Sequence, residues 1–347
     1  MEYRRLGASG LRVSPVCLGA LQFGERTDEA EAKRIAASAR DSGVNFIDTA
    51  DTYGPSGASE RMVGRLLAKD RDDWVLATKV GMRFDGDPQR SGHSRRWIHA
   101  ALDASLTRLG TDYVDLYYLH WHDPATPLEE TIGTLADLIR LGKVRYWGFS
   151  NYRGWHIAEM MRICEATGAP KPIAAQPSYS ILARQAEQEY IPACAHFGIG
   201  VLPYSPLARG VLTGKYRKNA ALPKGSRAAD PGYQKTLAYK LFKDTDLRPE
   251  NLGLVAKIVA RAKARKMTPT DFAIAWVMAN RHVTSLVAGP RTLAQWTVYV
   301  KALKTRISPA DEAFIDKLVA PGYNATHGYL DPRLALEGRV PRTKTAV

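Results

Sequence analysis

Four polar residues of types that can exchange protons stand at the ends of otherwise apolar segments: Asp48, Tyr53, Lys79 and His120. A free tyrosine has a pKa of about 10, so it is a poor acid at neutral pH. A lysine ammonium about 4 Å away, at an effective dielectric constant of about 20, would lower that pKa by roughly three units at most. We therefore expect Tyr53, beside a charged lysine, to give or take a proton near pH 7.

The other members of this group would support such a transfer. Asp48 would hold Lys79 in its charged form, and His120 could donate a hydrogen bond to the carbonyl oxygen of a substrate. The alternative is a structural ion pair between Asp48 and Lys79, because a buried charge is costly unless it is paired. Two further polar residues at equivalent positions, Tyr53 and His120, favour the catalytic interpretation.

A metal site at the same place is a weaker interpretation. His120, His122 and Asp123 are close in sequence, but the predicted strand ends at the first histidine. No further carboxylate or histidine is placed to complete a ligand set. We expect no bound metal, and a metal-dependent hydrolase on the same fold would need one.

Eight apolar, β-rich segments alternate with helical patterns along the chain. They are Val16–Leu21, Asn45–Ala50, Trp74–Val80, Val114–His120, Val144–Phe149, Ile173–Pro177, Gly200–Tyr204 and Thr284–Ala288. Continuous apolar runs are typical of parallel strands buried on both faces. Eight such strands alternating with helices predict an α/β fold of the (β/α)8 or TIM-barrel type. Catalytic residues of such barrels lie where strands meet their following loops, which is where the four polar residues fall.

A doubly wound parallel sheet would show the same alternation of strands and helices. That fold usually carries a G-x-G-x-x-G turn after its first strand. The segment Leu18–Gly24 does not match this turn. The mismatch argues against a Rossmann cofactor site, although it does not exclude a doubly wound fold.

Three segments interrupt the alternation. Tyr3–Leu6 and Leu11–Val13 flank a glycine-containing turn and predict an N-terminal β-hairpin. After the seventh strand, a long loop at about 216–249 is a candidate lid over the active face. The tail at about 321–347 has weak periodicity and is either a substrate loop or a loose terminus. Barrels of this length are commonly one domain, so we expect a single domain over 1–347.

Four helix starts are predicted from hydroxyl residues: Ser94, Thr126, Thr268 and Ser308. Such a hydroxyl accepts a hydrogen bond from an amide in the first turn of the helix. For Thr126, Pro127 would be the first helical residue and Glu129 the acidic partner of a capping box.

The composition favours a reducing compartment. Cys17, Cys164 and Cys194 are odd in number and widely spaced, so they predict neither a disulfide framework nor a zinc site. The N-terminus lacks the apolar segment of a secretory signal, and no apolar stretch is long enough to span a bilayer. We therefore expect a cytoplasmic protein without a membrane partner, either a monomer or a homo-oligomer.

The formal net charge of +14 predicts attraction to anions. Nucleic acid is one such anion, but the basic residues are spread along the chain, in patches such as Lys257–Lys266 and Arg339–Lys344. No nucleic-acid-binding motif accompanies them. We expect no nucleic-acid partner, and a phosphorylated cofactor would account for the charge.

Four separated motifs resemble those of the aldo-keto reductase superfamily: Asn45–Tyr53, Asp115–His120, Gly142–Ser150 and Pro203–Gly210. The resemblance extends roughly from Leu6 to Leu318, and the motifs occur in the right order. It is greatest for the bacterial branch that also resembles the β subunits of voltage-gated potassium channels.

This resemblance implies that the four polar residues form a catalytic tetrad. Hydride would pass from a nicotinamide ring to a carbonyl and Tyr53 would give the proton, so the implied activity is NADPH-dependent reduction of aldehydes and ketones. The implied substrate residues are Phe23, Tyr53, His120 and Trp121, with the tail around Tyr323–Leu330. An apolar, aromatic wall suits neutral or aromatic carbonyl compounds.

The resemblance also implies a cofactor site. Ser150, Asn151 and Gln176 match the positions that hold the nicotinamide carboxamide, and Tyr204 matches the aromatic that stacks on the ring. The remaining positions are those near the pyrophosphate, Ser205, Pro206, Leu207, Gly210, Lys215 and Arg227; those near the adenosine, Gly289, Arg291 and Gln295; and those around the first two strands, Gly19, Ala20, Leu21 and Asp48. Each could instead be a plain structural residue.

Arg291 is the implied partner of the 2′-phosphate, which favours NADPH over NADH. Its alternative is an exposed residue at the start of a helix. The chain departs from the family pattern at Val298 and Tyr299, where relatives often carry Glu and Asn. The contacts with adenine are therefore expected to differ.

A cofactor-binding regulatory or scaffold subunit with little turnover is the second function that the resemblance allows. The residue at position 120 separates the two. A histidine there, as in this chain, favours catalysis, whereas an asparagine would have favoured a slow sensor.

Overall fold

Eight parallel strands surround the centre of the molecule in a computed structural model that describes residues 1–326 of the 347-residue chain. An antiparallel hairpin of β1 (Arg4–Arg5) and β2 (Arg12–Val13) precedes them. The parallel strands are β3 (Val16–Gly19), β4 (Phe46–Asp48), β5 (Val75–Val80), β6 (Val114–Leu119), β7 (Val144–Ser150), β8 (Ala174–Gln176), β9 (Gly200–Val201) and β10 (Leu286–Ala288). Each of the eight predicted strand segments overlaps one of these strands.

The strands follow the order β10-β3-β4-β5-β6-β7-β8-β9. At the two edges, the backbone N–H of Thr284 donates to the carbonyl of Val201 at 2.9 Å. The N–H of Val287 donates to the carbonyl of Pro203, also at 2.9 Å. These bonds join the edges and close the sheet. The predicted (β/α)8 barrel and its N-terminal hairpin are therefore confirmed.

Helices connect successive strands and cover the outside of the barrel. They are α1 (Glu29–Asp41), α2 (Ala58–Leu67), α3 (Arg95–Leu109), α4 (Leu128–Arg140), α5 (Gly154–Thr167), α6 (Tyr190–Phe197), α7 (Pro231–Gln234), α8 (Leu237–Asp244), α9 (Pro249–Ala264), α10 (Pro269–Ala279), α11 (Leu293–Ala302) and α12 (Pro309–Leu318). The long connection at 216–249 thus follows the seventh barrel strand as predicted, but it contains α7 and α8. Its residues Ala228 and Phe242 are fully buried.

Three of the four predicted helix caps are confirmed. The hydroxyls of Ser94, Thr268 and Ser308 each accept an amide hydrogen bond from the first turn of the following helix. The prediction for Thr126 is wrong, because its hydroxyl donates to the carboxylate of Asp123 at 2.6 Å. Helix α4 begins at Leu128, one residue later than predicted.

Side chains of the parallel strands alternate between the barrel interior and the surrounding helices, as the two-residue period of a strand requires. Phe46, Ala77, Tyr118 and Ala174 belong to one buried cluster inside the barrel. Leu6, next to the hairpin, joins the same cluster, so the hairpin covers the end at which the strands begin. The opposite end, at the carboxyl ends of the strands, carries the polar residues.

No helix within residues 1–326 combines the length and the apolar character needed to cross a membrane. The predicted tail falls mostly on residues 327–347, which lie outside the described part of the chain. Its first residues are described: Asn324 pairs with Ala183 in an isolated β-bridge.

Candidate active site

The alternation of side chains brings the predicted polar residues together at the carboxyl end of the barrel. Asp48 lies two residues after Phe46, and Lys79 lies two residues after Ala77. Because residues two apart share a face of a strand, both side chains continue an inward-facing row. His120 follows β6 in the same register, and Tyr53 comes from the loop after β4.

The ammonium of Lys79 is the centre of this group. It contacts a carboxylate oxygen of Asp48, donates to the carbonyl of Thr49 at 2.8 Å and donates to the hydroxyl of Tyr53 at 3.1 Å. Lys79 is fully buried and Asp48 is 2% exposed. An ammonium has three N–H donors, and here each has an acceptor. Lysine is therefore held in its charged form against the tyrosine.

The protonation of Tyr53 differs from the expectation. Burial raises the pKa of Tyr53 and outweighs the neighbouring Lys79, which lowers it. The predicted lowering is thus wrong, because removing a phenolate from water costs more than the attraction of Lys79 returns. Burial lowers the pKa of Lys79, but Asp48 and Tyr53 together outweigh burial and raise it. A neutral phenol and a charged ammonium stand side by side.

His120 lies against Tyr53. Their rings meet edge to face, with centroids 5.7 Å apart and planes at 77°. The backbone of His120 is fixed on both sides, since its N–H donates to Val80 at 2.8 Å and its carbonyl accepts from Asn151 at 3.0 Å. The two rings therefore pack against each other at the carboxyl end of the barrel.

A second group of predicted residues is joined by hydrogen bonds. The hydroxyl of Ser150 donates to the backbone carbonyl of Gln176 at 2.7 Å. The amide nitrogen of Asn151 donates to the hydroxyl of Ser150 at 2.8 Å, and the hydroxyl of Tyr204 donates to the amide oxygen of Asn151 at 2.8 Å. The four residues proposed around the nicotinamide therefore lie together, at the ends of β7, β8 and β9.

A cavity of about 230 Å³ adjoins this group. Its walls include the predicted Trp121 and the cofactor candidates Asn151, Tyr204 and Ser205, and polar and apolar groups contribute to its surface about equally. The other polar side chains of the wall are Arg153, Ser178, Ser180, Gln185, Gln188, Glu189, Arg209, Thr245, Asp246, Asn324 and Thr326. The apolar wall expected from the sequence is thus only part of the surface. Phe23 is fully buried in the core, which gives it no access to the cavity.

The segment from Ser205 to Gly210 forms a strained turn. Ser205, Ala208 and Arg209 have φ angles of 56°, 46° and 52°, and Gly210 has 93°. The turn is closed by its own backbone, since the N–H of Ala208 donates to the carbonyl of Ser205 at 2.9 Å and the N–H of Gly210 to the carbonyl of Leu207 at 2.8 Å. A Cβ atom at Gly210 would lie 3.0 Å from the ammonium of Lys215, so a side chain there would crowd this lysine. Pro206 and Leu207 are buried within the turn.

Basic residues from distant parts of the chain converge beside this turn. The pKa of Lys215 is lowered by burial and by the charges of Arg291, Arg227 and Arg26. Burial also lowers the pKa of Arg227, and Arg26 and Arg209 add to the effect. Cations that lower one another's pKa are close together with too little negative charge between them. Such an arrangement suits a phosphorylated ligand.

Arg26 was not predicted from the sequence. It lies in the loop after β3 and pairs with Asp230 of the 216–249 segment at 3.3 Å. Arg209 was missed as well, and it forms an ion pair with Asp246 at 2.6 Å. Arg209 lies within the Pro203–Gly210 motif, whereas nothing in the sequence near Arg26 marks it, because its partner in space comes from another loop.

The adenosine candidates lie at the start of α11. The guanidinium of Arg291 donates to the carbonyl of Gly225 at 2.9 Å, so this residue is tied to the 216–249 segment. The side chain of Gln295 accepts the backbone N–H of Arg291 at 2.8 Å and helps to fix the helix start. Tyr299 is buried, and burial raises its pKa while Arg227 lowers it.

The candidates of the first strand border the adenosine side. Gly19 ends β3, and a Cβ atom there would lie 3.1 Å from the carbonyl of Ala288, which precedes Gly289. Ala20 is buried and its N–H donates to the carbonyl of Asp48 at 2.8 Å. Leu21 is 38% exposed at the barrel mouth. In residues 1–326, no three His, Cys, Asp or Glu side chains are grouped so as to hold a metal ion.

Known proteins share much of this sequence. The sequence profile of the aldo/keto reductase family matches residues 15–320. An uncharacterized oxidoreductase of Bacillus subtilis is 37% identical over 314 residues, which are 88% of this chain and 91% of the relative.

Two other relatives carry different descriptions. A probable voltage-gated potassium channel subunit beta of Arabidopsis thaliana is 39% identical over 308 residues, covering 87% of this chain and 91% of the relative. An L-glyceraldehyde 3-phosphate reductase of Escherichia coli is 33% identical over 331 residues, covering 93% of each chain. The relatives thus include reductases and channel subunits.

Proposed function

Because the chain belongs to the aldo/keto reductase family, we propose that it reduces aldehydes and ketones to alcohols with NADPH, and that Tyr53 is the proton donor. The observation that carries the proposal is the Lys79 ammonium, which lies 3.1 Å from the hydroxyl of Tyr53 and is paired with buried Asp48. This arrangement gives a phenol a charged neighbour at the mouth of a barrel, where a substrate can reach it.

Reduction of a carbonyl places negative charge on its oxygen, so the site must supply hydrogen-bond donors there. Tyr53 donates its proton to that oxygen, and His120 donates a second hydrogen bond from the neighbouring position. Lys79 stabilises the phenolate that remains. Tyr53 is only partly buried, so solvent can return the proton after each turnover.

When bound, NADPH supplies the hydride. Ser150, Asn151 and Gln176 would hold its carboxamide, and Tyr204 would stack on the ring. The turn from Ser205 to Gly210, with Pro206 and Leu207, would receive the pyrophosphate.

The converging cations fit the phosphate groups of this cofactor. Lys215 and Arg227 carry lowered pKa values, and a phosphate between them would relieve their repulsion. Arg291 and Arg26 add positive charge at the adenosine side, which supports NADPH over NADH. We also propose that the 216–249 segment closes over the cofactor. The ion pair between Asp230 and Arg26 and the hydrogen bond from Arg291 to the carbonyl of Gly225 would hold it there.

The test is a spectrophotometric assay of NADPH oxidation with a panel of aliphatic, aromatic, hydroxylated and phosphorylated aldehydes. The polar side chains in the cavity wall and the E. coli relative support including the last two classes. We expect turnover with at least one class, and a loss of about 10²- to 10⁴-fold in kcat for Tyr53→Phe. Binding of NADPH, followed by fluorescence, should survive in that variant. Retained turnover in Tyr53→Phe would remove the role assigned to Tyr53.

A second candidate is a regulatory or scaffold subunit that binds the cofactor and turns over little; the Arabidopsis relative is described as a probable channel subunit. His120 beside Tyr53 favours the enzyme. Tight NADPH binding without oxidation by any aldehyde of the panel would favour the subunit.

A further inference from the structure

A hydrogen bond across the barrel joins the proton-donor group to the cofactor side of the site. The side-chain amide nitrogen of Gln176, on β8, donates to the second carboxylate oxygen of Asp48, on β4, at 3.0 Å. Both residues are buried, at 3% and 2% exposure. We propose that Gln176 is a positioning residue for the Asp48–Lys79 pair, and that it couples cofactor binding to proton donation by Tyr53. This inference rests on the proposed function.

The barrel geometry makes this contact a long-range one. In the closed order of eight strands, β4 and β8 are four places apart and therefore stand on opposite sides. The bond from Gln176 thus spans the interior. Asp48 has one oxygen on Lys79 and the other on Gln176, so both oxygens of this buried carboxylate have a hydrogen-bond donor. Two partners on opposite sides fix the carboxylate, and losing either would let it turn.

Gln176 is also continuous with the other residues proposed to hold the nicotinamide. Its backbone carbonyl accepts from Ser150, which accepts from Asn151, which accepts from Tyr204. If the nicotinamide carboxamide formed a hydrogen bond with the side chain of Gln176, the hydrogen bond from Gln176 to Asp48 would change. The change would reach Tyr53 through Lys79.

The titratable groups around Asp48 are few, and they come from neighbouring strands. Lys79 lies on β5 and Tyr53 follows β4, while Cys17 lies on β3 and Tyr118 on β6. Burial raises the pKa of Cys17 and of Tyr118, so both are neutral at pH 7. The charge of Asp48 is therefore balanced by Lys79 and oriented by Gln176.

The variant Gln176→Glu tests the contact, because it places a second carboxyl group against Asp48. Two such groups share one proton, since like charges at hydrogen-bond distance resist double ionisation. The shared proton preserves the link at pH 6, and its loss towards pH 9 turns the link into repulsion near Tyr53. We expect the ratio of kcat at pH 6 to kcat at pH 9 to exceed the wild-type ratio by about tenfold, which corresponds to roughly one pKa unit.

A second readout needs neither cofactor nor turnover. The unfolding temperature of cofactor-free Gln176→Glu should fall, relative to wild type, as the pH rises from 6 to 9. A carboxyl group that keeps its proton in the folded state but not in the unfolded state loses stabilisation as pH rises through the folded-state pKa. If wild type shows no turnover, the proposed function fails while this readout still decides the contact.

The matched control is Ser150→Ala, which alters the cofactor side and removes a donor to the backbone carbonyl of Gln176, but leaves the side-chain contact from Gln176 to Asp48 in place. It should weaken NADPH binding and leave both pH dependences like those of wild type. Weakened binding in Gln176→Glu with wild-type pH dependences would overturn the inference and leave Gln176 a cofactor contact alone. Should Gln176→Glu not fold, Gln176→Met replaces it. The fall in unfolding temperature that Gln176→Met causes should be at least halved when the protein already carries Asp48→Asn. If the falls caused by the two substitutions simply add, the contact contributes nothing and the inference is overturned.

Discussion

Replacing Lys79 by methionine separates the structural and catalytic consequences of its charge. Methionine is unbranched and fills irregular space well, but it carries no charge. In the wild type the ammonium contacts Asp48, Thr49 and Tyr53. The variant leaves a carboxylate that is 2% exposed without its cation, and it leaves the phenol without a positive neighbour.

Both consequences have a predictable size. Removing one partner of a buried ion pair costs about 3–5 kcal/mol of folding free energy. Gln176 still donates to Asp48, so we expect the lower end of that range. For catalysis, a unit charge 3.1 Å from the phenol oxygen stabilises phenolate by about 5 kcal/mol at most, at an effective dielectric constant of about 20. General acid catalysis contributes about 10²- to 10⁴-fold, so we expect kcat to fall by about 10³-fold.

The control is the double variant Lys79→Met with Asp48→Asn, which removes the stranded charge. Urea unfolding of the cofactor-free protein and NADPH oxidation with an aldehyde measure the two effects. We expect the double variant to recover most of the lost stability and none of the lost activity. Turnover above a tenth of wild type, or equal stability of the single and double variants, would refute this reasoning.

Two other predictions concern the cofactor and the response to acid. Arg291→Ala should raise the dissociation constant of NADPH about tenfold more than that of NADH, because NADPH alone carries a 2′-phosphate for the guanidinium. Fluorescence titration measures both constants, and equal losses would exclude Arg291 from phosphate recognition. Burial lowers the pKa of His93 to about 4, whereas an unfolded histidine titrates near pH 6.5. Through this residue the unfolding free energy should fall by about 3 kcal/mol between pH 6.5 and pH 4. In urea titrations, His93→Gln should remove this contribution to the fall in unfolding free energy between pH 6.5 and pH 4. A fall as large as that of wild type would contradict the role of His93.

The strands could be located from the sequence, but their ends could not. The apolar segment Asn45–Ala50 covers six positions, whereas β4 spans Phe46–Asp48. Thr49 and Ala50 are also fully buried. Apolar character therefore marks where the chain is buried, and burial continues into the loop after the strand has ended.

The helix starts show that a sequence pattern for an N-cap fails when the capping hydroxyl has another hydrogen-bond partner. Thr126 and Ser308 both precede a proline and both have an acidic residue three positions later. Ser308 caps α12 as predicted. Thr126 does not cap α4, because its hydroxyl donates a hydrogen bond to the carboxylate of Asp123. The same carboxylate accepts the backbone N–H of His93, which is distant in sequence. The outcome at Thr126 thus depends on the loop geometry around Asp123.

The residues of the candidate site also fall into those placed by a strand and those placed by contacts between loops. The positions of Asp48, Lys79 and His120 could be predicted because each lies at or next to the carboxyl end of a strand and continues an inward-facing row. Arg26 could not, because its place is set by a contact with the distant 216–249 segment. Phe23 was placed at the cavity by resemblance, whereas the packing of its own loop buries it.

The raised pKa of Tyr53 changes what Lys79 does in the proposed reaction. A donor must keep its proton at the working pH, and burial ensures this more firmly than the predicted lowered pKa would have. The ammonium therefore contributes little to the resting state, in which the phenol is neutral. Its attraction grows as the proton leaves and negative charge develops on the phenol oxygen. An interaction that strengthens only along the reaction lowers the barrier instead of stabilising the starting complex, so Lys79 should affect kcat more than KM.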